Sequence, residues 1–297
     1  MKETERREAG VRLVDPLDQA SGLRRLFAPE ASFQALGVLG PDPRRTARAC
    51  TALALGLGRR GHRVLVMDEM RPPHNVAGLL GIMPRLGLAD APRRGLLSVV
   101  QQALDGLVLL AAQDGLNTLA GLSEHDLLDM AEAWRTRADA PEWLLLNGGD
   151  SPLRSNGLAT TANVRVLVLP GNRASLADAY AVMKAAHAAW SGSHWLVLVE
   201  GAETGQAMGL FASLSETAQR FLGLTPVFLG CIVRDTPGTQ PSALDAALVD
   251  CLSEESRRRV ETERMNFEQF WQRMWLFSRI TAEAATKRVQ HGWRSAG

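Results

Sequence analysis

Residues 35–82 read ALGVLG-PDPRRTA-RACTALALGLGRRG-HRVLVMDEM-RPPHNVAGLLGI, and this pattern decides the fold. A short apolar run enters a tight loop and the loop opens a helix rich in small residues. That helix leads back to a second apolar run ending at Asp68. The succession is one βαβ crossover, with its loop at the carboxyl end of the first strand, where open α/β sheets place their ligands. In the phosphate-binding form of this unit the loop is Gly-rich, so that bare backbone N–H groups reach the phosphates, and a Lys follows. Here the loop is Gly40-Pro41-Asp42-Pro43-Arg44-Arg45-Thr46. The frame of a phosphate site is present without its chemistry.

Downstream, the spacing predicts a helix over about 94–104 and a strand Leu107–Ala111. A helix Ser123–Arg137 and a strand Trp143–Asn147 follow, then strand Val164–Leu169, helix Ser175–Trp190, strand Trp195–Val199, helix Gly205–Gly223 and strand Val227–Val233. Runs such as VRVLVLP and HWLVLVE are almost continuously apolar, as strands buried on both faces must be. Alternating with helices, they predict a doubly wound, mostly parallel sheet. We divide the chain into an N-terminal tail (1–30), an α/β domain (31–250) and a C-terminal amphipathic helix (251–297).

In the tail, residues 1–14 read as disordered. Asp15 then suits an N-cap and Pro16 the first helical position. The resulting helix runs to about Phe27, before Pro29, with Leu23, Leu26 and Phe27 on one side. At the other end, Leu252 to about Gln290 reads as one long helix. Phe267, Phe270, Trp271 and Met274 fall on a stripe that Trp275 and Phe277 widen. Three readings of that stripe stand: core or dimer packing, a membrane-surface helix with Arg257–Arg259, Arg264, Arg273 and Arg279 as cations, or a protein-docking helix.

Composition bounds the rest. With 297 residues and 46% hydrophobic content the chain can bury a full α/β core. A net charge of +1 gives no reason to expect nucleic acid. Cys50, Cys231 and Cys251 lack metal-ligand spacing and the six His are scattered, so no metal site and a reduced, cytoplasmic protein are expected. The charged start is no signal peptide, and no run reaches the ~18 apolar residues of a membrane span.

Several segments together resemble the MinD/ParA-like ATPases, in the FlhG/FleN branch that controls flagellar number and placement. Val64-Leu65-Val66-Met67-Asp68 followed by Asn75-Val76-Ala77-Gly78-Leu79-Leu80-Gly81 is similar to that family's second strand and its sequel. So are Val166–Pro170 with Ser175–Tyr180, and Ala212–Leu222 with Leu229–Asp235. Asp18-Gln19-Ala20-Ser21-Gly22-Leu23-Arg24 matches the D-Q-A-x-x-L-R signature of FlhG proteins. The resemblance implies a MinD/SIMIBI-like P-loop NTPase fold with helical extensions at both ends. It also implies a partner, the FlhF-like GTPase, whose hydrolysis is activated through Asp18, Gln19, Ala20, Leu23 and Arg24. Gln19 would supply the amide that orients the attacking water. Further partners implied are a flagellar transcriptional activator or switch component, and a peripheral contact at the inner membrane or cell pole.

Against the same family, the ATP site departs at most of its working positions. Arg45 stands at the P-loop Lys with Thr46 after it, Gly40 at the signature Lys, and Pro41, Asp42 and Arg44 at the three glycines. Prolines have no N–H to offer a phosphate, and Asp42 adds negative charge beside one. Asp68 survives as a relic metal-side carboxylate. Met70 replaces the water-positioning Asp, Asn147 the strand-end Asp, and Glu200 the adenine-reading Asn. The expectation is a regulator that has lost ATP hydrolysis and needs no cofactor. Two rivals stand beside it: an active ATPase binding Mg-ATP through Arg45, and a MinD paralogue unconnected with flagella.

Overall fold

In the computed structural model, which describes residues 32–135, 137–148, 157–232, 248–254 and 265–294, the crossover read from the sequence is the centre of the molecule. Its elements are β1 (Ser32–Leu39), α1 (Pro43–Arg59) and β2 (Val64–Asp68). There follow β3 (Gln101–Leu104), β4 (Leu107–Ala111), α2 (Gly115–Ala120), α3 (Glu124–Arg135) and β5 (Trp143–Asn147). The chain continues through β6 (Val164–Pro170), α4 (Leu176–Ala189), β7 (His194–Glu200), α5 (Thr204–Leu222) and β8 (Val227–Ile232). It ends in β9 (Met265–Asn266) and α6 (Phe267–Arg294). These residues all belong to the compact unit Ala31–Gly297.

The sheet order is β3-β4-β2-β5-β1-β6-β7-β8. Every pair along it is parallel except β3 with β4. Strand order reverses direction at β1, which lies between β5 and β6. Such a switch point opens a crevice at the carboxyl ends of the strands.

Alternation along each strand sends side chains to opposite faces. Val64 and Val66 join Leu36 and Val38 beneath α1, which packs on them through Ala49, Cys50, Leu53 and Leu57. Leu65 and Met67 face the other way, into a core shared with α3, α4, α5 and α6. The five-residue match of β1 to β5 sets Val38 level with Asn147, and β2 sets Asp68 level with the same residue. Register alone therefore brings the ends of three strands together.

Three expectations need correction. The helix read over 94–104 is instead two single turns, Ala91–Arg94 and Leu96–Val99, followed by the edge strand β3. Gly95, at φ 82, interrupts the helical path between those turns. The sequence reading also passed over α2. Finally, the tail is not one helix from Leu252: Met265 and Asn266 pair antiparallel with Phe33 and Ser32, and α6 starts only after that bridge.

Candidate functional site

The loop after β1 closes on itself. Asp42 caps α1, its Oδ1 accepting from the Arg45 N–H at 3.1 Å while its Oδ2 accepts from Arg45 Nε at 3.2 Å. Arg45 Nη1 also donates to the Glu200 backbone carbonyl at 3.2 Å and is ion-paired with the Glu200 carboxylate. Thr46 is buried, and its hydroxyl donates to the Asp42 carbonyl at 2.8 Å. The loop lies so tightly that a Cβ on Gly40 would meet Thr46 Oγ1 at 2.5 Å and the Val168 carbonyl oxygen at 2.9 Å.

A phosphate cradle needs donors pointing outward into a concavity. Here Pro41 and Pro43 contribute none, the Arg45 N–H is taken by a carboxylate, and the guanidinium at the lysine position is held by two acids. The Arg45 and Thr46 donors of this loop are thus engaged within the protein.

At the adjoining strand ends, Asp68 is fully buried and satisfied from three sides. Asn147 Nδ2 donates to its Oδ1 at 2.8 Å, as does the Met70 N–H at 3.3 Å, and the Ala77 N–H donates to Oδ2 at 3.1 Å. Burial nevertheless outweighs these bonds and holds the Asp68 carboxyl above its ordinary 3.8. Beneath it, burial and then the Asp68 charge push the Cys50 thiol well above 9.0. Two carboxylates at positions 68 and 147 would want a cation between them. Here one carboxylate meets one amide N–H, while the amide oxygen of Asn147 is buried without a hydrogen-bond partner among the described residues. Among the described residues no cluster of three or more His, Cys, Asp or Glu could hold a metal.

Neighbouring residues reinforce the closure. Met70 is buried, so the place of a water-positioning acid is part of the core. Glu69 reaches across to accept from the Leu158 and Ala159 N–H groups at 2.8 and 3.2 Å, capping the 3₁₀ turn Leu158–Thr161. The sequence had marked Glu200 as a lost adenine contact and had not paired it with Arg45. The signal was a new acid and a new base appearing at once in one motif set.

The remaining predicted sites fall in two groups. Asp18, Gln19, Ala20, Leu23 and Arg24 lie outside the described residues. Phe267, Phe270, Trp271 and Met274 are buried, the arrangement that the first of the three readings of this stripe, core packing, describes. Phe33 of β1 packs against Phe267 in a tilted pair at 4.5 Å and meets Phe270 edge-on at 5.2 Å. Trp275 is half-buried and donates its indole N–H to the Leu122 carbonyl at 3.2 Å. No described helix is long and apolar enough to cross a membrane.

Strand order, the crossover loop over β1 and the buried acid at the end of β2 define a P-loop NTPase fold of the MinD/SIMIBI class. A MinD cell division protein of Aquifex aeolicus superposes with a TM-score of 0.51 at 14% identity, over 79% of this chain and 98% of that one. A putative plasmid partition protein of Borrelia burgdorferi bound to AMPPNP gives a TM-score of 0.51 at 8% identity, over 77% and 100%. In sequence, the antiactivator FleN of Pseudomonas aeruginosa is 28% identical over 190 residues, 62% of this chain and 67% of that protein. No protein-family model matches the chain. In fold the chain is similar to MinD/ParA-like proteins, and in sequence it is similar to the antiactivator FleN.

Proposed function

We propose that this chain regulates flagellar number and placement on a MinD-type scaffold that no longer turns over ATP. The observation that carries the reading is the bonding of Arg45, at the P-loop lysine position, to Asp42 and Glu200. A planar guanidinium already held by two carboxylates does not replace a mobile ammonium at a phosphate site. Asn147 in turn relieves Asp68 of the need for magnesium. The antiactivator relative supports a role in restraining an activator of flagellar genes.

The working surface in this reading is the N-terminal segment that carries Asp18 to Arg24. It binds an FlhF-like GTPase and supplies Gln19 to its active site, where an amide can orient the attacking water.

Two measurements test the two halves. Isothermal titration of the full chain with Mg-ATP should show no saturable heat, and low-micromolar binding would overturn the view of the loop. A peptide of residues 11–28 should raise the GTPase rate of an FlhF-like partner, and Gln19→Ala should abolish the rise. A wild-type peptide without effect would remove the GTPase partner.

A further inference from the structure

α3 and α6 lie side by side and leave a groove of about 230 Å³ open at the surface. Leu127 and Trp271, both buried, form its floor with the half-buried Trp275. Leu128 and Leu276 form its walls and are 45% and 49% exposed. Ile280, one turn beyond Leu276, is 54% exposed. Of the eight large apolar side chains that stand exposed in the described residues, Leu128 and Leu276 face each other across this one groove and Ile280 lies a turn away. Concentrated apolar surface marks an interaction site where scattered leucines do not.

The geometry selects a helix. Glu124 and Leu128 on α3, and Gln272, Leu276 and Ile280 on α6, form ridges at spacing i, i+4, and the trough between two such ridges accepts a third helix by ridge-into-groove packing. The charge selects its chemistry. Glu124 and Glu268 line the groove; Glu132 of α3 is paired with Arg135, and a cation, Arg279, lies over the Trp275 ring.

We propose that this groove docks an amphipathic helix of a partner protein, one whose apolar stripe is flanked by Lys or Arg. Leucine-type side chains enter between Leu128 and Leu276, over the two indoles. The flanking cations meet Glu124 and Glu268 and fix register and direction. The proposal does not depend on the reading of the nucleotide loop or of the GTPase partner. Carboxylates in a helix's first turn also favour the helix dipole, so the test must separate the two roles.

The test is fluorescence anisotropy on the full chain, with a labelled synthetic helix about five turns long carrying a Leu stripe flanked by Lys and Arg, and a twin flanked by Glu. The basic probe should bind and the acidic twin should not. Leu128→Ser and Leu276→Ser should each weaken binding at least about tenfold, as anchors at the centre of an interface do. The double change Glu124→Lys with Glu268→Lys should transfer preference to the acidic probe, a gain that misfolding cannot mimic. No saturable binding, equal binding of both probes, or binding indifferent to the Leu changes would each overturn the proposal. So would uptake by phosphatidylglycerol vesicles that the Leu changes abolish while neither peptide binds, since the surface would then be a membrane contact.

Discussion

Asn147 donates its side-chain amide to the carboxylate of Asp68 across 2.8 Å, with both residues fully buried at level positions on neighbouring strands. The neutral amide leaves a single carboxylate at this meeting of β2 and β5.

Placing a second acid there should be costly. Asn147→Asp places two carboxylates in hydrogen-bond contact away from water, and we expect a loss of about 2–4 kcal/mol at pH 7, in the range for uncompensated buried charge. The loss should shrink at pH 5, because the pair can then share a proton. Urea denaturation at the two pH values measures both. An equal loss at the two values would mean that like-charge repulsion is not the cause.

Asp68 alone has its own pH signature. Its carboxyl is raised in the fold, so the native state keeps the proton to higher pH than the unfolded chain does. The resulting stability is fully present below the unfolded value of 3.8 and is lost as pH rises through the folded value. Carbon-detected NMR titration of the Asp68 carboxyl should show a midpoint above 3.8. A midpoint below it would mean that the three hydrogen bonds outweigh burial.

Arg45 and Glu200 should behave as one unit. Their side chains are 18% and 9% exposed, so the pair is more valuable than a surface bridge and less than a fully buried one. Glu200→Gln should cost about 1–3 kcal/mol, and a cycle with Arg45→Met should return a coupling energy of similar size. Simple additivity in that cycle would show that the pair does not hold α1 to the end of β7.

The three thiols should separate by burial and charge. Cys50 is fully buried beside Asp68, whereas Cys231 and Cys251 are half-buried. Thiolate is the reactive form, so Cys50 should resist iodoacetamide in the native chain and react only on unfolding, with the other two modified first. Mass mapping of the labelled protein gives the order directly.

Much of this was legible in the sequence, and the exceptions share a cause. The crossover, Asp68 and the central strands follow from local periodicity, which a buried parallel sheet writes strongly. β3 was read as helix because four residues of edge strand take their conformation from β4 rather than from their own pattern. The late start of α6 depends on Met265 and Asn266 meeting β1, a pairing between opposite ends of the chain that no local window can contain. At the site, the substitutions themselves were visible, at Arg45, Met70, Asn147 and Glu200. What they do for one another was not, because Arg45 to Glu200 and Asn147 to Asp68 are contacts through space between residues far apart in sequence.

The aromatic face of α6 offers the clearest contrast between a core and a surface helix. Trp271 is 1% exposed and meets Phe270 at 5.4 Å, whereas Leu276, five residues along the same helix, is 49% exposed. Trp271→Ala removes a large buried side chain and should cost about 3–5 kcal/mol, the range for truncating core aromatics. Leu276→Ala should stay within about 0.5 kcal/mol, as surface changes do. Urea unfolding gives both, and an unchanged slope with a shifted midpoint would identify the loss as stability alone. If α6 were a detachable membrane helix resting on the domain, Trp271→Ala would instead leave the main transition in place and increase binding to anionic vesicles. The packing of Phe33 against both Phe267 and Phe270 argues for the first result, because β1 at the centre of the sheet cannot keep its environment once α6 leaves.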